Sequence, residues 1–113
     1  MSEVARFIAE VQENIEGLRT DAAVRQATID WVNAIAPHKY TYNFTWLGRP
    51  IIQFPQDLAA LQEIIWDTKP DLIIETGIAH GGSLIFHASM LQLLGNDGRV
   101  LGVDIDIRDH NRV

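Results

Sequence analysis

Residues 72–104 spell out one strand–turn–helix–turn–strand unit, and that unit limits the folds open to the chain. Leu72-Ile73-Ile74-Glu75-Thr76 is a continuous apolar run closed by an acid, the pattern of a strand buried on both faces of a parallel sheet. Gly77-Ile78-Ala79-His80-Gly81-Gly82-Ser83 is a glycine-rich turn. Residues 83–94 carry Leu84, Ile85, Ala88, Leu91 and Leu94 at helical spacing, and Gly95-Asn96-Asp97-Gly98 breaks that helix. Arg99-Val100-Leu101-Gly102-Val103-Asp104 is a second strand that again ends in an acid. A βαβ unit of this kind crosses over right-handed and builds a parallel sheet. The expected fold class is therefore α/β: an N-terminal helical arm leading into the first half of a doubly wound, Rossmann-like parallel sheet.

A glycine turn between a buried strand and a helix lets a ligand approach the backbone and aims the helix amides at it. The spacing here is neither the dinucleotide GxGxxG, because position 79 is Ala, nor a P-loop, because Gly-Lys-Ser/Thr is missing. Two acids flank the turn. Glu75 closes the first strand, and Asp104 closes the second, where a carboxylate accepts hydrogen bonds from ribose hydroxyls. The combination suggests an adenosine-type ligand without a pyrophosphate, and S-adenosylmethionine fits better than NAD. The competing reading is an ordinary βα turn that uses Gly for tightness.

Ahead of this unit, Val4, Phe7, Ile8, Val11, Ile15 and Leu18 share one face of an amphipathic helix, with Ser2 as its cap and Gly17 weakening its end. Thr20 or Asp21 caps a second helix with Val24, Ala27, Trp31, Val32 and Ile35 inward, stopped by Pro37. Packing is the plain role for these helices; a dimer contact or a lid is the other. Residues 40–50 alternate aromatic and small polar side chains, which suits an extended segment, and Gly48-Arg49-Pro50 reads as a turn. Pro55 opens a further helix with Leu58, Leu61, Ile64 and Ile65 on its buried stripe, ended by Lys69-Pro70-Asp71. The expected division is a helical arm over 1–38 and a partial cofactor domain over 39–113.

The formal net charge is −6 and the basic residues are scattered, so neither nucleic acid nor an anionic membrane is an expected partner. There is no Cys, which excludes disulfides and thiolate metal sites. No stretch approaches the length of a membrane span and the N-terminus lacks a signal-peptide pattern, so a cytoplasmic location is expected.

Several stretches resemble the family of cephalosporin hydroxylases and rhamnosyl O-methyltransferases. They are Tyr42-Asn43-Phe44-Thr45-Trp46-Leu47-Gly48-Arg49-Pro50-Ile51, Pro70 through Gly77, Gly81-Gly82-Ser83, and Gly98 through Asp106. The Glu-Thr-Gly and Val-Asp-Ile-Asp pieces also resemble the wider cation-dependent O-methyltransferases. The resemblance implies a class I methyltransferase fold, S-adenosylmethionine as methyl donor and, in some members, a bound Mg²⁺ whose ligands would lie beyond residue 113. On that pattern Glu75, Gly77, Gly81, Gly82 and Ser83 contact the methionine and ribose portions and Asp104 holds the ribose; His80, by its place inside the turn, is either a ligand contact or a solvated loop residue. Such enzymes are longer than this chain, so the expectation is the cofactor-binding N-terminal half of an O-methyltransferase, inactive alone. A small-molecule or sugar hydroxyl is the expected acceptor, and the acceptor's base is not assignable.

Other patterns compete. Asp104-Ile105-Asp106 matches the Asp-x-Asp of metal-dependent sugar-nucleotide transferases; on a strand both acids would point the same way. Asp106, Asp109 and His110 add donor atoms, though no metal site is assigned. A non-catalytic binding or oligomerisation module is the remaining alternative. Ser83 reads as a helix cap or ligand contact, not a nucleophile. His87 reads as packing or surface, and His38 has no assignable role. Tyr40, Tyr42, Phe44 and Trp46 either pack in the core or form an aromatic wall. One crossover helix covers only one sheet face, so the chain is expected to form a homo-oligomer, most simply a two-fold dimer.

Overall fold

Two short polar side chains start the first two helices. In the computed structural model, which describes residues 1–112, Ser2 Oγ accepts from the Ala5 amide at 3.1 Å and opens α1, Glu3–Thr20. Asp21 Oδ1 accepts from the Ala23 and Val24 amides at 2.9 and 3.2 Å and opens α2, Ala22–Ile35. These bonds satisfy first-turn amides that have no partner inside the helix. Pro37 lies in the 3-10 turn Ala36–His38 that follows. The chain divides into a unit Met1–His38 and a unit Lys39–Val113; Val113, the last residue of the expected cofactor domain, lies outside the described residues.

Neither α1 nor α2 buries a residue, which corrects the inward placement expected for Val24, Trp31 and Val32. Two helices alone have no third element in their unit to close the apolar stripes. No helix among the described residues is long and apolar enough to cross a membrane.

The second unit begins with a 3-10 turn, Tyr40–Tyr42, and then an antiparallel hairpin of β1, Phe44–Trp46, and β2, Arg49–Ile51. The expected turn at Gly48-Arg49-Pro50 is displaced by one residue. Trp46 pairs with Arg49, so Leu47 and Gly48 are the loop, with φ of 48° and 83°. Two left-handed residues in a two-residue loop give the twist that hairpins prefer, and Gly48 takes that conformation without a Cβ penalty. Pro50 pairs with Thr45 in a two-stranded sheet, where every strand is an edge and a missing N–H is tolerated.

Helix α3, Pro55–Thr68, starts with Pro at its first turn and ends at Lys69 in the left-handed region. Strand β3, Leu72–Thr76, leads through the glycine turn to helix α4, Gly82–Leu94, and then to β4, Arg99–Val103. The strands pair in parallel, Leu72 with Arg99 through Thr76 with Val103. The α/β class and the parallel βαβ unit read from the sequence are the observed ones. Both strands alternate exposed and half-buried residues, so only one sheet face is covered. Leu72, Ile74, Leu101 and Val103 remain exposed, unlike strands buried on both faces.

Ile51, Ile65 and Phe86 form the buried centre, joining hairpin, α3 and α4. Trp46 meets Phe86 edge-on at 5.0 Å and donates its indole N–H to Ser89 Oγ at 3.0 Å. Tyr40 meets Phe44 edge-on at 5.1 Å. These aromatics are therefore packing, which buries ring area and satisfies the one polar indole atom.

The hairpin also touches the start of α4. A Cβ added at Gly82 would lie 2.2 Å from the Pro50 carbonyl oxygen and 2.8 Å from Ile51 Cα. Both neighbours are backbone and cannot rotate away. Gly82→Ala is expected to lower unfolding free energy by roughly 1–3 kcal/mol, the usual cost of overpacking a tight contact. Urea denaturation followed by Trp fluorescence measures it, and an unchanged midpoint would refute the contact.

Candidate functional site

The site is built where β3 and β4 stop together. Parallel pairing brings both carboxyl ends level, and the Gly77 amide continues the ladder to the Val103 carbonyl at 2.8 Å. β4 ends at Val103, so Asp104 begins the following bend. Its Oδ2 accepts from the Ile78 amide at 2.7 Å and its Oδ1 from the Asp106 amide at 3.0 Å. The Ile78 and Asp106 amides hold the Asp104 carboxyl below its ordinary value, because both bonds favour the charged form. The stability these bonds give is present above the ordinary Asp range and is lost as pH falls through the lowered native value.

This geometry corrects the strand placement expected for Asp104 and Asp106. Both residues follow the end of β4, and the Asp106 amide donates to Asp104 Oδ1. Among the described residues no group of three or more His, Asp or Glu is arranged to hold a metal ion.

The turn itself is left-handed at Gly77, Ala79 and Gly81, with φ of 83°, 46° and 84°. Gly81 caps α4, so Ser83 is not the cap; the polypeptide enters the helix through a left-handed glycine instead. Gly77, Ala79, His80, Gly82 and Ser83 line a cavity of about 140 Å³ with Glu75. Pro50, Ile52 and Gln53 form its opposite wall, which no motif in the sequence pointed to. The cavity is smaller than the roughly 300–1,000 Å³ of a complete small-molecule site, so it has room for only one end of a small molecule.

Glu75 lines that space. Its Oε2 is buried and has no hydrogen-bond partner among the described residues. Burial pushes the carboxyl above its ordinary value, and the Ser83 hydroxyl pulls it part of the way back. An unpartnered buried carboxylate oxygen is costly unless a donor arrives. The nearby amides at the start of α4 attract negative charge. Donor-seeking acid and anion-seeking helix end thus face one small cavity, a pairing suited to a zwitterion.

The expected contacts are thus only partly brought together. Glu75, Gly77, His80, Gly82 and Ser83 line the cavity. Asp104 does not line it, and reaches the turn through the Ile78 amide. Gly81 sits behind it as the helix cap. His80 stacks on His110 with centroids 5.2 Å apart, and its Nε2 lies 3.1 Å from Arg108 Nη1. His87 is half-buried on Phe86, with Nδ1 unpartnered and its pKa lowered by burial. The aromatic segment supplies no cavity wall.

A parallel βαβ unit with a glycine turn and two strand-end acids is an arrangement of the doubly wound α/β class. The family profile described as Rhamnosyl O-methyltransferase/CmcI matches residues 38–113, and the chain belongs to that family. A rhamnosyl O-methyltransferase of Mycobacterium leprae (strain TN) is 37% identical over 78 residues, 64% of this chain and 34% of that protein. The rhamnosyl O-methyltransferase of Mycobacterium bovis (strain BCG / Pasteur 1173P2) is 33% identical over 73 residues, 59% of this chain and 30% of that protein. A solved structure described as cmcI-N160 SAH superposes with a TM-score of 0.55 at 30% identity, covering 57% of this chain and 33% of that one. The match thus spans about a third of the length of these relatives.

The raised Glu75 pKa gives a pH-dependent prediction. The native state holds this proton more tightly than the unfolded chain. Stability therefore falls as pH rises from the ordinary Glu range through the raised native value, and the loss persists at neutral pH. Glu75→Gln is expected to raise Tm at pH 7 and to leave it unchanged well below the ordinary Glu range. A lower Tm at pH 7 would show that the charge is stabilised by its surroundings.

Proposed function

We propose that residues 39–112 are the S-adenosylmethionine-binding part of an O-methyltransferase that methylates a hydroxyl on a sugar or other small molecule. The observation that carries the reading is Glu75 Oε2, buried and unpartnered beside the start of α4. A methionine ammonium would satisfy that oxygen, and the methionine carboxylate would take the amides of Gly82 and Ser83. The ribose would lie toward Asp104, at the mouth between the strand ends. The SAH in the description of the solved relative, read as the demethylated cofactor, supports this choice over a nucleotide sugar. The curated relatives' names support a sugar hydroxyl as acceptor.

In the complete enzyme the acceptor oxygen attacks the methyl carbon in line and the thioether leaves. The acceptor proton passes to a base that the described residues do not identify. This part of the chain binds and orients the donor, which is where positioning lowers the barrier.

Isothermal titration of the purified chain with S-adenosylmethionine, S-adenosylhomocysteine and UDP-sugars with Mn²⁺ tests the reading. Binding of the first two and not the third is expected. Asp104→Ala is expected to weaken S-adenosylmethionine about ten- to a hundredfold, by losing a charge-assisted ribose bond and the Ile78 anchor. Unchanged affinity would make Asp104 irrelevant to the ligand, and Mn²⁺-dependent UDP-sugar binding would overturn the assignment.

The reading extends to self-association. The exposed sheet face of Leu72, Ile74, Leu101 and Val103, and exposed Phe7 and Ile15 on α1, support contacts between copies. Multi-angle light scattering is expected to give a mass above one chain; a stable monomer across micromolar concentrations would refute it.

A further inference from the structure

Arg49 and Asn111 line no part of the cavity, yet they connect its two walls. Asn111 Nδ2 donates to the Ala79 carbonyl at 2.7 Å. Arg49 Nη1 donates to Asn111 Oδ1 at 2.9 Å and to the His110 carbonyl at 3.1 Å, with the His80 carbonyl at 3.4 Å. Asn111 also sits closely on the turn: a Cβ at Gly81 would meet its Oδ1 at 2.8 Å. Arg49 belongs to β2, whose continuation Pro50, Ile52 and Gln53 is the opposite cavity wall.

The turn needs such support. Ala79 holds φ of 46°, a left-handed conformation that an L-residue with a Cβ adopts only when its surroundings impose it. Asp104 fixes the N-terminal side of Ala79 through the Ile78 amide. The Gly81 amide closes the turn on the Ile78 carbonyl at 2.8 Å, and Asn111 restrains the Ala79 carbonyl that lies between them. Without it, the left-handed Ala79 would be held by the Asp104 and Gly81 bonds alone, and the cavity-lining residues beside it would be less firmly placed.

We propose that Asn111, locked by Arg49, is a positioning residue that holds Ala79 left-handed and so sets the shape of the cofactor cavity. The pair acts through the turn and touches no ligand. The proposal rests on the cofactor reading above for its functional consequence, but its structural content is independent of any ligand.

The test uses the 113-residue chain with Asn111→Ala, Asn111→Asp and the double variant Ala79→Gly with Asn111→Ala. Asn111→Asp keeps the acceptor for Arg49 and loses the donor to Ala79. Amide hydrogen exchange is read by NMR without ligand, at Ile78 and Gly81 in the turn and at Ile74 and Leu101 in the strands. Both single variants are expected to speed exchange at the turn amides about tenfold and leave the strand amides unchanged. Unchanged turn exchange overturns the proposal, and so does parallel acceleration of turn and strands, which would mean general destabilisation.

Titration with S-adenosylmethionine supplies the second readout. Each single variant is expected to bind about three- to tenfold more weakly, the loss expected for one hydrogen bond. Ala79→Gly with Asn111→Ala is expected to return to within about threefold of the parent, because Gly takes the left-handed conformation unaided. Weak binding without that rescue overturns the positioning role. If the parent chain does not bind S-adenosylmethionine, the cofactor reading fails, and the exchange result still decides whether Asn111 holds the turn.

Discussion

The Asp104 carboxylate takes the Ile78 amide hydrogen at 2.7 Å, and the rest of the site is arranged around that bond. It is possible only because β3 and β4 run parallel in a register that ends Thr76 opposite Val103. A one-residue slip would carry Asp104 away from the turn and turn Glu75 to the other sheet face. With the register fixed, the first turn amides are committed to β4 and the bend after it. The chain must then climb to α4 through left-handed residues, and the start of α4 is aimed across the strand ends.

The hairpin turns that exposed corner into a cavity. Its backbone rests on Gly82, where no side chain larger than hydrogen fits, and Trp46 anchors it to α4 through Phe86 and Ser89. Pro50, Ile52 and Gln53 then stand opposite Glu75 as a consequence of core packing. The same contacts that bury Ile51 and Phe86 therefore set the width of the cavity. Stability and site geometry are not separable in this half of the chain.

What was legible in the sequence was what local pattern dictates. The apolar run 72–76, the breaks at Gly77 and Gly95 and the cap at Ser2 are local signals and fall where the pattern put them; the second strand, read as 99–104, ends at Val103, and of Thr20 and Asp21 it is Asp21 that caps α2. The hairpin was missed because its loop uses Leu47 where Asn or Gly would announce a left-handed residue, and because Pro50 argues against a strand. The second cavity wall was missed because Gln53 and Glu75 are brought together only by tertiary packing. Arg49 and Asn111 are 62 residues apart, and nothing in the stretch that contains Arg49 points to Asn111 as its partner. Ala79 broke the dinucleotide glycine pattern in the sequence, and the structure shows that this position still adopts the glycine-like conformation.

The two strand-end acids look equivalent in the sequence and are opposites in the fold. Asp104 spends both oxygens on backbone amides, which lower its pKa and make it part of the scaffold. Glu75 keeps one buried oxygen without a partner, and burial raises its pKa. A group that is satisfied contributes to holding the turn; a group that is not satisfied is poised for whatever enters. Two like residues are thus set apart by environment, one satisfied by backbone amides and one with a buried oxygen unpartnered. The ordinary-turn reading explains Asp104 and the glycines but leaves no reason for a carboxylate to be buried beside them. Under the proposed reading a ligand with an ammonium group would supply that reason, since it would replace the missing donor and offset the cost of burying Glu75.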